Sequence, residues 1–103
     1  METIQSLDAL TTRLNDELIL VLAKTHTCSV CQLTETQLQA AIPEFASLNK
    51  VQVYIDDVDA FRGALEVFAV PTVMIYSHGK ELLRESRFIN VDKIKRLLSM
   101  VQA

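Results

Sequence analysis

Leu18-Ile19-Leu20-Val21-Leu22-Ala23, then Lys24-Thr25-His26-Thr27, then Cys28-Ser29-Val30-Cys31: the order of these three pieces decides how the rest of the chain is read. Six consecutive apolar residues are too few to span a membrane. A short continuous apolar run suits a strand buried on both faces. Thr25-His26-Thr27 is a polar turn, and from Ser29 onward the apolar spacing turns helical. The chain has two cysteines, and both stand where a buried strand hands over to a helix.

A thiol at a helix N-terminus faces unpaired backbone N–H groups and the positive end of the helix dipole. Both favour thiolate over thiol, so the Cys28 pKa is expected to be lowered. The thiolate is the nucleophile of disulfide exchange. Cys31, one turn into the helix, is expected to be more buried and protonated, and to resolve a mixed disulfide formed at Cys28. A helical turn brings sulfurs three residues apart within bonding reach. A bridge closing so short a loop adds little stability, so the pair reads as chemistry rather than as a staple. Two other readings stay open. One is a metal site of His26, Cys28 and Cys31, although zinc prefers a fourth ligand and no second C-x-x-C exists. The other is an inert pair of small apolar residues. The strand-to-helix context favours redox chemistry.

Outward from this centre the elements are dense and the joints short. Toward the N-terminus, Ile4, Leu7, Leu10 and Leu14 fall on one helical face, with Ser6 as N-cap. Beyond Cys31, Val30, Leu33, Leu38, Ile42, Phe45 and Leu48 form an apolar stripe, which Pro43 should kink or divide. Val51, Val53 and Ile55 alternate as in a strand. Asp56, Asp57 and Asp59 are read as capping carboxylates for a helix carrying Phe61, Leu65 and Phe68 as core, with Val70-Pro71 ending it. They lack the glycine and late glutamate of a calcium loop. Thr72 to Tyr76 is strand-like, Ser77-His78-Gly79-Lys80 a turn, and Leu82 to Phe88 the returning strand. Val91, Ile94, Leu97, Leu98 and Val101 mark a closing helix capped by Asn90. Alternation followed by a hairpin implies an α/β chain with a mixed sheet and helices on both faces.

At 103 residues the chain is read as a single domain, 1–103. Ten basic against thirteen acidic residues give a net charge of −3, without the basic footprint of nucleic-acid binding. Lys93-Ile94-Lys95-Arg96 complements a helix C-terminus instead. Met1-Glu2-Thr3-Ile4-Gln5 lacks the basic start and apolar stretch of a secretory signal. The expectation is a cytoplasmic monomer engaging neither membrane nor nucleic acid.

Three stretches together resemble the thioredoxin family: Ile19–Ala23 leading to Cys28-Ser29-Val30-Cys31, the strand end Ile55-Asp56, and Val70-Pro71-Thr72 followed by a strand and the Gly79 turn. The resemblance covers residues 4 to 101. It implies a thioredoxin fold, with a central mixed four-stranded sheet and room for a short N-terminal strand. It implies a thiol–disulfide oxidoreductase contributing to redox homeostasis, with Cys28 as nucleophile and Cys31 as resolving thiol. A substrate groove follows from Thr27, Val70, a cis Pro71 and Arg87, with the Val70 backbone pairing to an extended chain. Partners would be protein disulfides and a flavoprotein reductase using NADPH. No bound cofactor or metal is expected beyond the Cys28–Cys31 disulfide itself.

The departures from the family are specific. The chain has no tryptophan, and Thr27 precedes Cys28 where the family has one. Leu22 stands at the position of the family's buried acid, Gln52 near that of its lysine partner, and Arg87 at a groove glycine. Lys24 replaces a usual aromatic; it either points its amine at the active-site rim, where with His26 it would tune the Cys28 pKa, or, the favoured expectation, reaches solvent. His26 is either an exposed loop histidine or a cation tuning the Cys28 pKa. Arg87 either meets substrate or guards an outer strand. These departures leave a second function open, a non-catalytic binding module or redox sensor on the same fold.

Overall fold

The Leu18–Ala23 run does become the doubly buried strand its composition requires. In the computed structural model, which describes residues 1–101, the strand covers Ile19–Lys24 and every residue in it is buried. In chain order the elements are β1 (Glu2–Thr3), α1 (Leu7–Leu14), β2 (Ile19–Lys24), α2 (Ser29–Ala41), β3 (Lys50–Tyr54), α3 (Ala60–Leu65), β4 (Thr72–Ser77), β5 (Lys80–Ser86) and α4 (Val91–Val101). The sheet order is β1-β3-β2-β4-β5, with β1, β3 and β2 parallel and β4 and β5 antiparallel to their neighbours. The short N-terminal strand is present, so the sheet has five strands rather than four.

The alternation of a strand sorts β2 between two cores. Ile19, Val21 and Ala23 join Val51, Val53, Leu10, Phe61 and Leu65 on the side of α1 and α3. Leu20 and Leu22 join Val73, Ile75, Leu38, Ile42, Ile94 and Leu98 on the side of α2 and α4. Among the described residues no helix is long and apolar enough to cross a membrane.

Both serine and asparagine caps occur as expected. The Ser6 side chain accepts from the Ala9 amide, and Asn90 Oδ1 accepts from the Lys93 amide at 3.1 Å. Other expectations are corrected by the packing. Ile4 is buried, but it precedes α1 instead of lying on it. Of the two outcomes expected at Pro43, division is the one found: α2 stops at Ala41, and a separate 3-10 turn, Phe45–Ser47, follows. The buried stripe of α2 is Cys31, Thr34 and Leu38, while Val30 and Leu33 are exposed. The helix α3 ends at Leu65, with Glu66 in the left-handed conformation, well before Val70-Pro71. That break in the helical period places Val67 in the core and leaves Phe68 75% exposed. Strand β5 ends at Ser86, short of Phe88.

The hairpin turn depends on its glycine. Gly79 has φ +82°, and a Cβ there would lie 2.8 Å from Asn15 Oδ1. The turn is pinned to the end of α1 by amide bonds from His78 to the Asp16 carbonyl and from Gly79 to the Leu14 carbonyl, both 2.8 Å. Gly79→Ala is expected to lower unfolding free energy by about 1–2 kcal/mol, read from urea denaturation.

Candidate functional site

The chain leaves β2 at Lys24 and turns through Thr25-His26-Thr27, the Cys28 amide donating to the Thr25 carbonyl. Cys28 is the N-cap of α2 and is bonded to Cys31, with the two Cα atoms 5.3 Å apart. The Cys31 amide donates to Cys28 Sγ at 3.2 Å. The sulfur thus occupies the position that a serine or aspartate oxygen takes at an ordinary cap. Cys28 is partly exposed, whereas Cys31 is 1% exposed. The two sulfurs have the asymmetric access expected of an attacking and a resolving group.

Strand register brings the remaining residues to the same end of the sheet. Ala23 pairs with Thr72, so Pro71 stands beside the exit of β2. The Val70–Pro71 peptide is cis and Pro71 is buried. Neither the Val70 N–H nor its C=O has a backbone partner among the described residues, which leaves both available to an extended chain. Thr72 pairs with Ser86, and the Arg87 amide donates to the Pro71 carbonyl at 2.8 Å. Arg87 is exposed and has φ +64°, a left-handed conformation that favours glycine. This is the conformation expected at a position where the family carries glycine.

On the other side of the disulfide lies a cleft of about 290 Å³. Lys24, His26, Thr27, Cys28, Cys31 and Tyr54 all line it. Lys24 pairs with Tyr54 across β2 and β3. The Lys24 stem is covered, while its unpartnered Nζ keeps access to the solvent of the cleft, 5.2 Å from the centre of the Tyr54 ring. His26 stacks on that same ring, with centroids 3.8 Å apart and planes 2° from parallel.

The aspartates have a different task from the one expected. Asp59 flanks α3, but its side chain makes no cap hydrogen bond and instead pairs with Arg62. Asp56 Oδ2 accepts from the His26 amide at 3.1 Å, and Asp57 Oδ2 lies 2.8 Å from His26 Nε2. The Asp57 hydrogen bond raises the His26 pKa above its ordinary value, with the Asp56 and Asp57 charges adding to it and Lys24 opposing it. His26 is therefore held by carboxylates and an aromatic face, rather than grouped with the two sulfurs as a ligand set.

Tyr54, Asp56 and Asp57 were not singled out as site residues by the sequence. The available signal was register. A parallel neighbour of β2 places its last residue opposite Lys24, and the loop that follows reaches the Thr25–Thr27 turn.

No family model matches the chain. The thioredoxin-like protein YdfQ of Bacillus subtilis is 31% identical over 74 residues, 72% of this chain and 66% of that protein. The thioredoxin of Mycoplasma genitalium is 31% identical over 67 residues, 65% of this chain and 66% of that protein. The chain thus spans about two thirds of each relative. Solved thioredoxins superpose over nearly the whole chain. Oxidised thioredoxin from Plasmodium falciparum matches with a TM-score of 0.80 at 16% identity, covering 100% of this chain and 99% of its own. A mutant thioredoxin from Halobacterium salinarum matches with 0.81 at 18% identity, covering 99% and 90%. These structural likenesses establish the fold.

Two outcomes follow from the geometry. Arg87→Gly is expected to raise unfolding free energy by up to about 1 kcal/mol by removing the left-handed cost, while Arg87→Ala is not, as read from urea midpoints. The His26–Asp57 pair, having a raised histidine pKa, contributes stability that is fully present below the ordinary histidine range. That contribution is lost as pH rises through the raised value. The urea midpoint of Asp57→Asn should therefore fall below that of the parent protein at pH 5.5, and the gap should narrow at pH 8.5.

Proposed function

The chain belongs to the thioredoxin family, and on that premise we propose that it is a thiol–disulfide oxidoreductase acting on protein disulfides through Cys28 and Cys31. The observation that carries this reading is the pairing of a partly exposed Cys28 sulfur, capped by the Cys31 amide, with a Cys31 that is buried beneath it. An acceptor sulfur at a helix N-terminus is better solvated as thiolate than as thiol, since a charged acceptor makes the stronger hydrogen bond.

The reaction follows from that arrangement. The Cys28 thiolate attacks one sulfur of a substrate disulfide and expels the other as a thiolate, leaving a mixed disulfide. Cys31 loses its proton and attacks Cys28 Sγ. The Cys28–Cys31 bond forms, and the second substrate sulfur departs with the electron pair. Two electrons have then passed from the dithiol to the substrate. The dithiol is restored by a reductant of the flavoprotein reductase class. No bound cofactor enters this scheme, because the reduced dithiol itself carries both electrons.

The groove is assigned to Thr27, Val70, Pro71 and Arg87. The unpaired Val70 amide and carbonyl would form a short antiparallel ladder with an extended substrate, and an edge contact of this kind is tolerant of sequence. We place the protein in the cytoplasm, acting as a monomer.

Leu22 supports a second reading, a redox sensor that turns over slowly. It is fully buried on the α2 side of the sheet, at the position of the family's buried acid, and it offers no base to Cys31. Reduction of insulin separates the two: steady turnover favours the oxidoreductase, and silence with a reversible Cys28–Cys31 bond favours the sensor.

The assignment of roles has its own test. Cys31→Ser should accumulate mixed disulfides with partner proteins, visible on non-reducing gels and released by dithiothreitol. Cys28→Ser should accumulate none. Equal trapping by both variants would reverse the assignment.

A further inference from the structure

The cleft beside the disulfide contains a cation without a counter-ion. Lys24 is 8% exposed, yet it forms no salt bridge and no side-chain hydrogen bond among the described residues. Its stem is covered, while Nζ keeps contact with the solvent of the cleft, because no buried side-chain nitrogen among the described residues lacks a partner. The groups facing it can be named element by element. From β3 comes the Tyr54 ring, 5.2 Å away, which offers only its quadrupole. From the turn comes His26, whose titration is opposed by the Lys24 charge. Asp56 and Asp57 lie beyond, engaged with the His26 amide and ring. From α2 come Cys28 and Cys31, which line the same cleft as Lys24. In the disulfide state neither sulfur carries charge.

We propose that Lys24 is the counter-ion of the reduced site: two-electron reduction of the Cys28–Cys31 bond creates, at Cys28, the anion that the Lys24 ammonium lacks in the oxidised protein. The proposal rests on the redox reading of Cys28 and adds to it the direction in which the pair is poised. Reduction by two glutathiones makes the balance explicit. Two glutathione thiols are oxidised to one glutathione disulfide and bring two electrons and two protons. One proton stays on Cys31, and the other leaves to solvent when Cys28 remains a thiolate. A cation beside that thiolate lowers its pKa and stabilises the reduced form relative to the disulfide. Lys24 therefore makes this dithiol a weaker reductant than it would be with an uncharged residue at the same place.

The effect is reciprocal. If Lys24 stabilises the thiolate, the thiolate stabilises the ammonium by the same free energy. That gives one test on variants and one on the unaltered chain. In Lys24→Met and Lys24→Gln, the Cys28 thiolate pKa, followed by its ultraviolet absorbance, should rise by about one unit. The equilibrium with glutathione should shift several-fold toward the disulfide at pH 7, and Lys24→Arg should restore both. In the parent protein, nitrogen-15 NMR of the lysine side chains should show the Lys24 ammonium titrating at higher pH when reduced than when oxidised. This second measurement stands even if the neutral variants fold poorly.

An unchanged Cys28 pKa in folded Lys24→Met or Lys24→Gln, or a Lys24 ammonium that titrates identically in both redox states, overturns the proposal. Failure of the underlying redox reading looks different: the parent protein itself would fail to exchange with glutathione.

Discussion

β2 has no side that faces water. Strands flank it on both edges and helices cover both faces, so all six of its residues are buried and its backbone is paired along its length. Where pairing ends, the chain must leave the sheet, and it must then supply a helix whose Leu38, with Ile42 at its C-cap, packs with Leu20 and Leu22. Only a short polar turn separates the two elements. Cys28 consequently lands at the α2 N-cap, where the Cys31 amide points at its sulfur. The same constraint gathers the other parts of the site. Parallel pairing with β3 sets Tyr54 opposite Lys24, and antiparallel pairing with β4 sets Thr72 opposite Ala23 and hence Pro71 at the same end. The carboxyl ends of the parallel strands are where α/β sheets commonly place their chemistry.

Three of the apolar residues excluded from the core, Val30, Leu33 and Phe88, gather near that end. Val30 sits between the two cysteines, and Leu33 and Phe88 line one shallow groove with it. Phe88 is 91% exposed. Packing alone does not require these side chains, since the α2 stripe is complete with Cys31, Thr34 and Leu38. Exposed apolar surface beside a sulfur is suited to contact with another protein chain.

Sequence reading succeeded where one physical rule acted alone. The continuous run of β2, the caps at Ser6 and Asn90 and the strand-to-helix setting of Cys28 each follow from local chemistry. It failed where two rules competed. Val30 and Leu33 were placed in the core by hydrophobicity, but the rotation of α2 is set by Cys31 and Leu38, which point at the sheet. Phe68 was placed there by helical period, but the left-handed Glu66 ended that period three residues after Gly63. Asp56 and Asp57 read as caps because carboxylates before a helix usually are; the competing partner, His26, lies thirty residues away in sequence and is brought near only by the β2–β3 pairing. Long-range register is what a single sequence expresses least, and Tyr54, Asp56 and Asp57 were hidden for that reason.

The surroundings of the disulfide act on Cys28, not on the thiol that the family's buried acid would serve. That acid would help Cys31 lose its proton, and Leu22 cannot. When Cys31 attacks Cys28 Sγ it is the substrate sulfur that departs, so stabilising a Cys28 thiolate does nothing for the leaving group of that step. The Cys31 amide and the α2 dipole bear on the first step instead. They raise the fraction of Cys28 present as thiolate, at some cost to its intrinsic nucleophilicity. With Leu22 in place of a base, loss of the Cys31 proton is the step that this arrangement leaves unassisted.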